Sequence, residues 1–213
     1  MSRVVVMGGS RGVGLETVKA LLERGHDAIA FSRGANGLRL DHSNLTRISG
    51  DATNADDVHA AVKDTDVVVQ ALGVPVSLKL LTGPIDLFSS ATRTLVPVME
   101  DMNIKRLISV TGFGSGDSKA AISCVQKVPF NIVFGHAYRD KSAQEALIKG
   151  SSLDWTIVRP GVLTNQRLQQ PYRIRTQPSE WRNGIISRAA VADYIASALD
   201  DPATIGQEPV LAN

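Results

Sequence analysis

The residues of this 213-residue chain whose types most directly imply chemistry are Gly8-Gly9-Ser10-Arg11-Gly12-Val13-Gly14. Glycines let a backbone bend tightly and approach a ligand closely. The N–H groups at the start of a following helix then hold an anion in the positive field of the helix dipole. The flanking residues supply that setting. Val4-Val5-Val6 reads as a buried strand, and Leu15, Val18, Leu21 and Leu22 recur at helical spacing with Glu16, Lys19 and Glu23 on the other face. Gly25 stops the helix. A strand, a glycine turn and an amphipathic helix in this order suit the diphosphate of a dinucleotide, the alternative being an ordinary glycine-rich turn.

Two arginines refine the ligand. A second strand, Asp27 to Phe31, ends at Ser32-Arg33-Gly34, about 20 residues past the glycines, where a dinucleotide site reads the adenosine ribose. An NAD site would carry Asp or Glu there. Arg33 stands there instead, and a guanidinium binds a 2′-phosphate through charge-assisted hydrogen bonds where a carboxylate repels it. Arg11, inside the turn, is within reach of the same phosphate. The pair favours NADP(H) over NAD(H), against the alternative of two solvated surface charges.

The remaining elements place further residues beside that turn. A third strand near Thr46 to Ser49 leads to Gly50-Asp51-Ala52, where Asp51 serves either an adenine amino group or a simple turn or cap. Asn54 offers an N-cap, with Asp56 and Asp57 in the first turn and Val58, Ala61 and Val62 on the buried face. A fourth strand, Val67-Val68-Val69, ends in Ala71-Leu72-Gly73. A helix from about Asp86 to Met102 follows Pro84, with a kink or break expected near Arg93 to Thr94 because Pro97 lacks an N–H. A fifth strand, Arg106 to Val110, ends in Thr111-Gly112-Phe113-Gly114. Strand and helix thus alternate five times, which predicts a parallel sheet of order 3-2-1-4-5 with all these tips on one edge, at the switch point between the first and fourth strands.

The later chain is less regular. Between Ser115 and Gly135 the periodicity is poor, with a helical turn expected in Lys119 to Val128 and ended by Pro129. Tyr138-Arg139-Asp140-Lys141 opens a helix to about Lys149, Trp155 to Arg159 forms a sixth strand closed by Pro160-Gly161, and Thr164 to Gly184 is a long excursion. A helix from Arg188 to Leu199 and a strand from Pro209 to Ala212 complete the pattern. Arg167, Arg173, Arg175 and Arg182 in the excursion either line an acceptor pocket or form a solvated basic surface.

Composition narrows the class. The chain is 43% apolar and 21% charged with a net charge of +2, ordinary for one globular domain and without a global pull toward nucleic acid or membrane. Cys124 is the only cysteine, expected as a buried inert thiol, and no Cys–His cluster suggests a metal. The first strand begins almost at residue 1 and no apolar run has the length of a membrane span, so a cytoplasmic protein is expected.

The glycine spacing resembles the Gly-x-x-x-Gly-x-Gly turn of the short-chain dehydrogenase/reductase superfamily, carried here by Gly8, Gly12 and Gly14. Leu153-Asp154-Trp155-Thr156-Ile157-Val158-Arg159-Pro160-Gly161 and Ile186-Ser187-Arg188-Ala189-Ala190-Val191-Ala192-Asp193-Tyr194-Ile195 are similar to its small atypical branch, the NmrA-like and NAD(P)H-binding proteins that include biliverdin reductase B, or flavin reductase. The resemblance covers nearly the whole chain. It implies an α/β Rossmann-type doubly wound parallel sheet in three α/β/α layers, one domain over residues 1–213 with a small substrate-side excursion at about 164–184. It also implies that Lys141 contacts the nicotinamide ribose, that Thr111 stands where a carbonyl is oriented, and that Pro160, Gly161 and Val162 belong to the cofactor site.

The superfamily's Tyr-x-x-x-Lys pair is departed from, since Tyr138 and Lys141 are three apart. Tyr138 is a proton donor at the mouth or a packing residue, His136 is another candidate acid, and solvent is a third source of the proton. The expected activity is an NADPH-dependent oxidoreductase passing hydride to a small flavin, quinone or carbonyl acceptor, anionic or aromatic, with no nucleic-acid or membrane partner, as a monomer or homodimer. The irregular spacing raises the alternative of an NADP(H)-binding sensor or assembly factor without turnover. A sugar-nucleotide epimerase or dehydratase is disfavoured by the short tail.

Overall fold

The computed structural model describes residues 1–74, 86–121, 124–166 and 171–213, excepting the side chains of 120, 121 and 124–134. Pro84, Arg167 and the Cys124 side chain lie outside the described residues.

β1 (Arg3–Met7) is the strand around which the layers form. Its side chains alternate between two faces, and both faces are covered, so the run is apolar throughout rather than alternating. Val4 and Val6 enter one core with Val18, Leu21, Val191 and Ile195. Val5 and Met7 enter the other with Val58, Leu95, Met99 and Ile148. The helices α1 (Gly12–Glu23) and α5 (Arg188–Ala198) cover the first face. The helices α2 (Ala55–Val62), α3 (Leu87–Asp101) and α4 (Cys124–Lys149) cover the second.

The strands β2 (Asp27–Phe31), β3 (Leu45–Ile48), β4 (Val67–Gln70) and β5 (Arg106–Val110) pair in parallel in the order β3-β2-β1-β4-β5, as the alternation predicts. The sheet continues through β6 (Asp154–Pro160), β10 (Val210–Ala212) and the antiparallel edge strand β8 (Arg173–Arg175). A separate two-stranded parallel sheet joins β7 (Val162–Thr164) to β9 (Ile185–Ser187).

Helix ends follow local chemistry. α1 closes in a Schellman motif, with Gly25 at φ +80°, its N–H on Leu22 O at 3.0 Å and His26 N–H on Leu21 O at 3.0 Å. Asn54 caps α2 by accepting from Asp57 N, and Ser187 caps α5 by accepting from Ala190 N. The cap of α3 comes from across the fold: Asp140, buried on α4, accepts from Phe88 N at 2.8 Å and Ser89 N at 3.2 Å.

The helix breaks expected at two prolines are absent. α3 runs unbroken through Pro97, with no break at Arg93 to Thr94. α4 does not end at Pro129 and does not begin at Tyr138; it is one helix of 26 residues that contains both. Its described buried face holds Ala137, Asp140, Gln144, Glu145 and Ile148. Three of those five are polar; the sequence predicts a helix over this stretch, and what it does not show is the start at Cys124, ahead of Pro129.

Candidate functional site

A cleft of about 840 Å³ opens along the C-terminal ends of the central strands. Gly8, Ser10, Arg11, Gly12 and Val13 after β1 line it, with Phe31 to Gly34 after β2 and Gly50 to Thr53 after β3. Ala71 to Val74 after β4, Val110 and Thr111 at the end of β5, and Leu87, Phe88, Ala137, Tyr138 and Lys141 from α3 and α4 complete the opposite part. Parallel strands bring their C-terminal tips to one edge, and the crossovers leave the sheet in opposite directions between β1 and β4, which opens the crevice there.

The glycine turn is shaped by close backbone approach. Gly8 has φ +85°, and a Cβ on it would lie 2.6 Å from Ala71 O. A Cβ on Gly14 would lie 2.3 Å from Gly8 O, so Gly14 sits behind the turn and lets α1 abut it rather than lining the cleft. At the start of α1 the Arg11 side chain makes no capping hydrogen bond and no carboxylate occupies the first turn. The leading N–H groups therefore face the cleft as an anion cradle.

Arg33 and Arg11 both line the cleft and neither forms an ion pair among the described residues. Beside Arg33, the Ser32 hydroxyl is buried on the cleft wall without a hydrogen-bond partner among the described residues. An orphaned donor next to a guanidinium fits a phosphate oxygen. Asp51 also lines the cleft, but its Oδ1 accepts from Thr53 N at 2.9 Å and Thr53 Oγ1 at 2.8 Å. These bonds, and then the charge of Arg33, hold its carboxyl below the ordinary range. The turn role is thus built in, and Oδ1 is already occupied.

At the far end, Tyr138 and Lys141 are one helical turn apart and both reach the cleft. The Lys141 ammonium donates to Thr111 O and lies 4.8 Å from the centre of the Phe88 ring. Desolvation pulls its pKa down to about 8 against the opposing charges of Glu145 and Asp140. Desolvation pushes the Tyr138 phenol up to about 12. Burial thus raises the tyrosine, whereas in the superfamily's pair the lysine lowers it. A Cβ on Gly112 would lie 2.9 Å from Tyr138 Oη, so a bare glycine makes room for that phenol.

Beneath this end lies a buried charge network. The Thr111 and Ser115 hydroxyls donate to Glu145 Oε1 at 2.7 and 2.6 Å. Glu145 Oε2 accepts from Arg159 Nη2 at 2.7 Å, with the two side chains 2% and 0% exposed. Arg159 also pairs with Glu208 and stacks 4.9 Å from the Trp181 ring centre. The Thr111 hydroxyl, expected to orient a carbonyl, has its proton committed to Glu145; its backbone carbonyl is what meets Lys141.

Several expected residues stand elsewhere. Pro160, Gly161 and Val162 do not line the cleft; Gly161 packs against Gly184, where a Cβ would lie 2.3 Å from its carbonyl oxygen, and the next residue on the cleft is Leu163. His136 is exposed, 3.0 Å from Arg139 Nη2, and is not on the wall. Arg173 and Arg175 lie on β8 at the outer edge of the sheet, and Arg182 donates to Ser179 O, so none of these three lines the acceptor end. Residues that spacing did not single out for the site are Ser32, Phe88, Glu145 and Arg188. Only Ser32, next to Arg33, carried a local signal.

A doubly wound parallel sheet, with a glycine turn, an uncapped helix start and arginines at its switch point, defines a Rossmann-type dinucleotide-binding protein. The chain belongs to the NAD(P)H-binding family, whose model matches residues 8–202. ChuY, an anaerobillin reductase from Escherichia coli O157:H7, is similar over 100% of this chain and 97% of its own, at 26% identity and a TM-score of 0.80. A short-chain dehydrogenase/reductase from Veillonella parvula, solved with NADP, has the same fold at 19% identity, a TM-score of 0.82 and coverage of 100% and 95%. A 3-beta-hydroxysteroid dehydrogenase of Mycolicibacterium neoaurum is 38% identical over 94 residues, 44% of this chain and 23% of its own length. An oxidoreductase of Schizosaccharomyces pombe is 33% identical over 79 residues, 34% of this chain and 27% of its own. The chain thus matches about a quarter of the length of these curated relatives. The atypical-branch resemblance is in accord with these findings, and the chain is an NAD(P)H-binding protein of an oxidoreductase-like family. Among the described residues no helix is long and apolar enough to cross a membrane, and no group of His, Cys, Asp and Glu is arranged to hold a metal ion.

Proposed function

We propose that the protein is an NADPH-dependent oxidoreductase that reduces a small organic acceptor such as a flavin, a quinone or a carbonyl compound. One observation carries this reading: a single cleft runs from Arg11, Ser32 and Arg33 to an end walled by Leu72, Phe88, Ala137 and Leu163 and holding Tyr138 and Lys141. The first end has the charge and the free hydroxyl for a 2′-phosphate. The second has apolar walls for a nicotinamide and a flat acceptor. Reduced NADP supplies the hydride when bound. The chain's own part is to hold the two partners face to face, which provides most of the acceleration in such a transfer. Lys141 is placed to hold the ribose hydroxyls. Tyr138, protonated at neutral pH, is placed to give a proton where the acceptor needs one. The reductase and dehydrogenase relatives support hydride chemistry.

Purified protein with NADPH and a panel of flavins, quinones and carbonyl compounds tests the activity; coenzyme oxidation above background with at least one acceptor is the expected result. Arg33→Asp tests the coenzyme, because it removes a charge-assisted contact and adds repulsion. NADPH affinity should fall about ten-fold or more while NADH affinity holds. Equal NADPH affinity before and after the change would mislocate the 2′-phosphate. A sensor without turnover is the second reading. It is favoured by the Thr111 proton being committed to Glu145 and by the three-residue spacing of Tyr138 and Lys141 in place of the superfamily's four. Tight coenzyme binding with no oxidation by any acceptor, together with a coenzyme-dependent protein partner, would select it.

A further inference from the structure

Arg188 is the third arginine on the cleft, and it comes from late in the chain to stand beside the glycine turn. It is the first residue of α5. Its root is fixed by Ile186, which is fully buried in the core, and by the Ser187 cap. Its tip is fixed by Asn165, whose Oδ1 accepts from Arg188 Nη1 at 2.7 Å. α5 lies beside α1 in the same direction: Arg24 at the end of α1 pairs with Asp193 at 2.6 Å, while at the start of α1 a Cβ on Gly12 would stand 4.0 Å from Arg188 Nε. The positive ends of two helices and two arginines, 11 and 188, therefore meet at the glycine turn. Arg188 forms no ion pair among the described residues, so its charge is not already neutralised.

We infer that Arg188 is a diphosphate ligand, standing over Gly12 and pairing with the phosphate oxygens that the N–H groups at the start of α1 hold from the other side. Asn165 is its positioning residue, holding one guanidinium nitrogen so that the planar group faces the turn. The inference rests on the dinucleotide reading of the cleft and assigns Arg188 and Arg33 to different phosphates. It also explains why an element so late in the chain reaches the first turn: the residue carrying the counter-charge must be rooted in a capped helix to hold its place.

Calorimetric titrations with NADPH, NADH and ADP-ribose separate the assignments. All three carry the diphosphate, only NADPH carries the 2′-phosphate, and ADP-ribose lacks the nicotinamide. Arg188→Gln should weaken all three by the same factor, about ten-fold for one lost charge-assisted pair. Arg33→Ser should weaken NADPH alone. Asn165→Ala keeps the charge but frees it, and should weaken all three equally by a smaller factor, about three-fold. The apo forms should melt as the parent does, since Arg188 supports no buried pair. Loss confined to NADPH would move Arg188 to the 2′-phosphate. Unchanged ADP-ribose binding would move it to the nicotinamide end, and no loss with any ligand would leave it a structural partner of Asn165. Each of these overturns the inference. Parent protein that binds none of the three would instead overturn the dinucleotide reading, and turnover enters none of these measurements.

Discussion

Glu145→Gln isolates the charge network under the cleft. The carboxamide has nearly the shape of the carboxylate, so no cavity opens and the change is electrostatic. Its NH₂ or its carbonyl must face Arg159 and the Thr111 and Ser115 hydroxyls, which need acceptors. Removing one partner of a buried ion pair costs about 3–5 kcal/mol, chiefly because the other charge is left desolvated and under-paired. Arg159 keeps Glu208 and its stacking on Trp181, which places the expected loss near the lower end, about 3 kcal/mol. In a chain of this size each kcal/mol moves the melting midpoint by roughly 2–4 °C, so the midpoint should fall by about 6–12 °C. Urea denaturation, followed by circular dichroism, measures the same loss directly, and a cycle with Arg159→Met should show two strongly coupled sites. The network has no room to reorganise at Gly116, where a Cβ would lie 1.9 Å from Glu145 Oε2. A loss below about 1 kcal/mol would refute the reasoning, because it would mean that water or a moved side chain already satisfies Arg159.

Lys141, pulled down to about 8 by desolvation, should impose a break in kcat/KM for coenzyme near pH 8, with the rate falling as the ammonium is lost; Lys141→Met should remove the break. The same depressed pKa makes the unfolded chain hold the proton that the folded chain has released between about pH 8 and 10.5, so Lys141 makes stability rise with pH across that window, and Lys141→Met should flatten the rise in denaturant titrations. Tyr138→Phe should cut reduction of a carbonyl acceptor about 100-fold or more yet leave flavin or quinone reduction within about three-fold; equal losses would show that the phenol only shapes the cleft. Gly14→Ala should destabilise by about 1–3 kcal/mol and abolish coenzyme binding, because its Cβ would strike Gly8 O and push the start of α1 away. Gly37→Ala, off the cleft and with nothing within 4 Å of its Cβ, is the neutral control.

The first half of the chain was legible because its signals are local. Apolar runs at Val4 to Val6 and Val67 to Val69, caps at Asn54 and Gly25, and glycines between strand and helix each state a backbone conformation from a few adjacent residues. Right-handed crossovers then leave little choice of strand order, so the edge carrying Gly8, Arg33, Asp51, Ala71 and Thr111 followed. Of α4 only the stretch from Tyr138 to Lys149 was legible; its start at Cys124 was not, because Pro129 reads as a helix end, and the partners of its buried Asp140, Gln144 and Glu145 (Phe88, Ser89, Gln70 and Arg159) lie outside the helix.

The sequence by itself determined the type of fold, the place of the crevice and the presence of Arg33 on it after β2, since each depends on residue type within one element or on handedness. Only the tertiary structure decided which cation faces which part of the cleft. It put Arg188 over Gly12, kept Arg173 and Arg175 on the far edge, and turned the Thr111 hydroxyl to Glu145. A charge has no preferred partner in sequence, because electrostatic attraction acts through space. Its partner is whatever the packing of α1 against α5, and of α4 against β5 and β6, brings within a few ångströms.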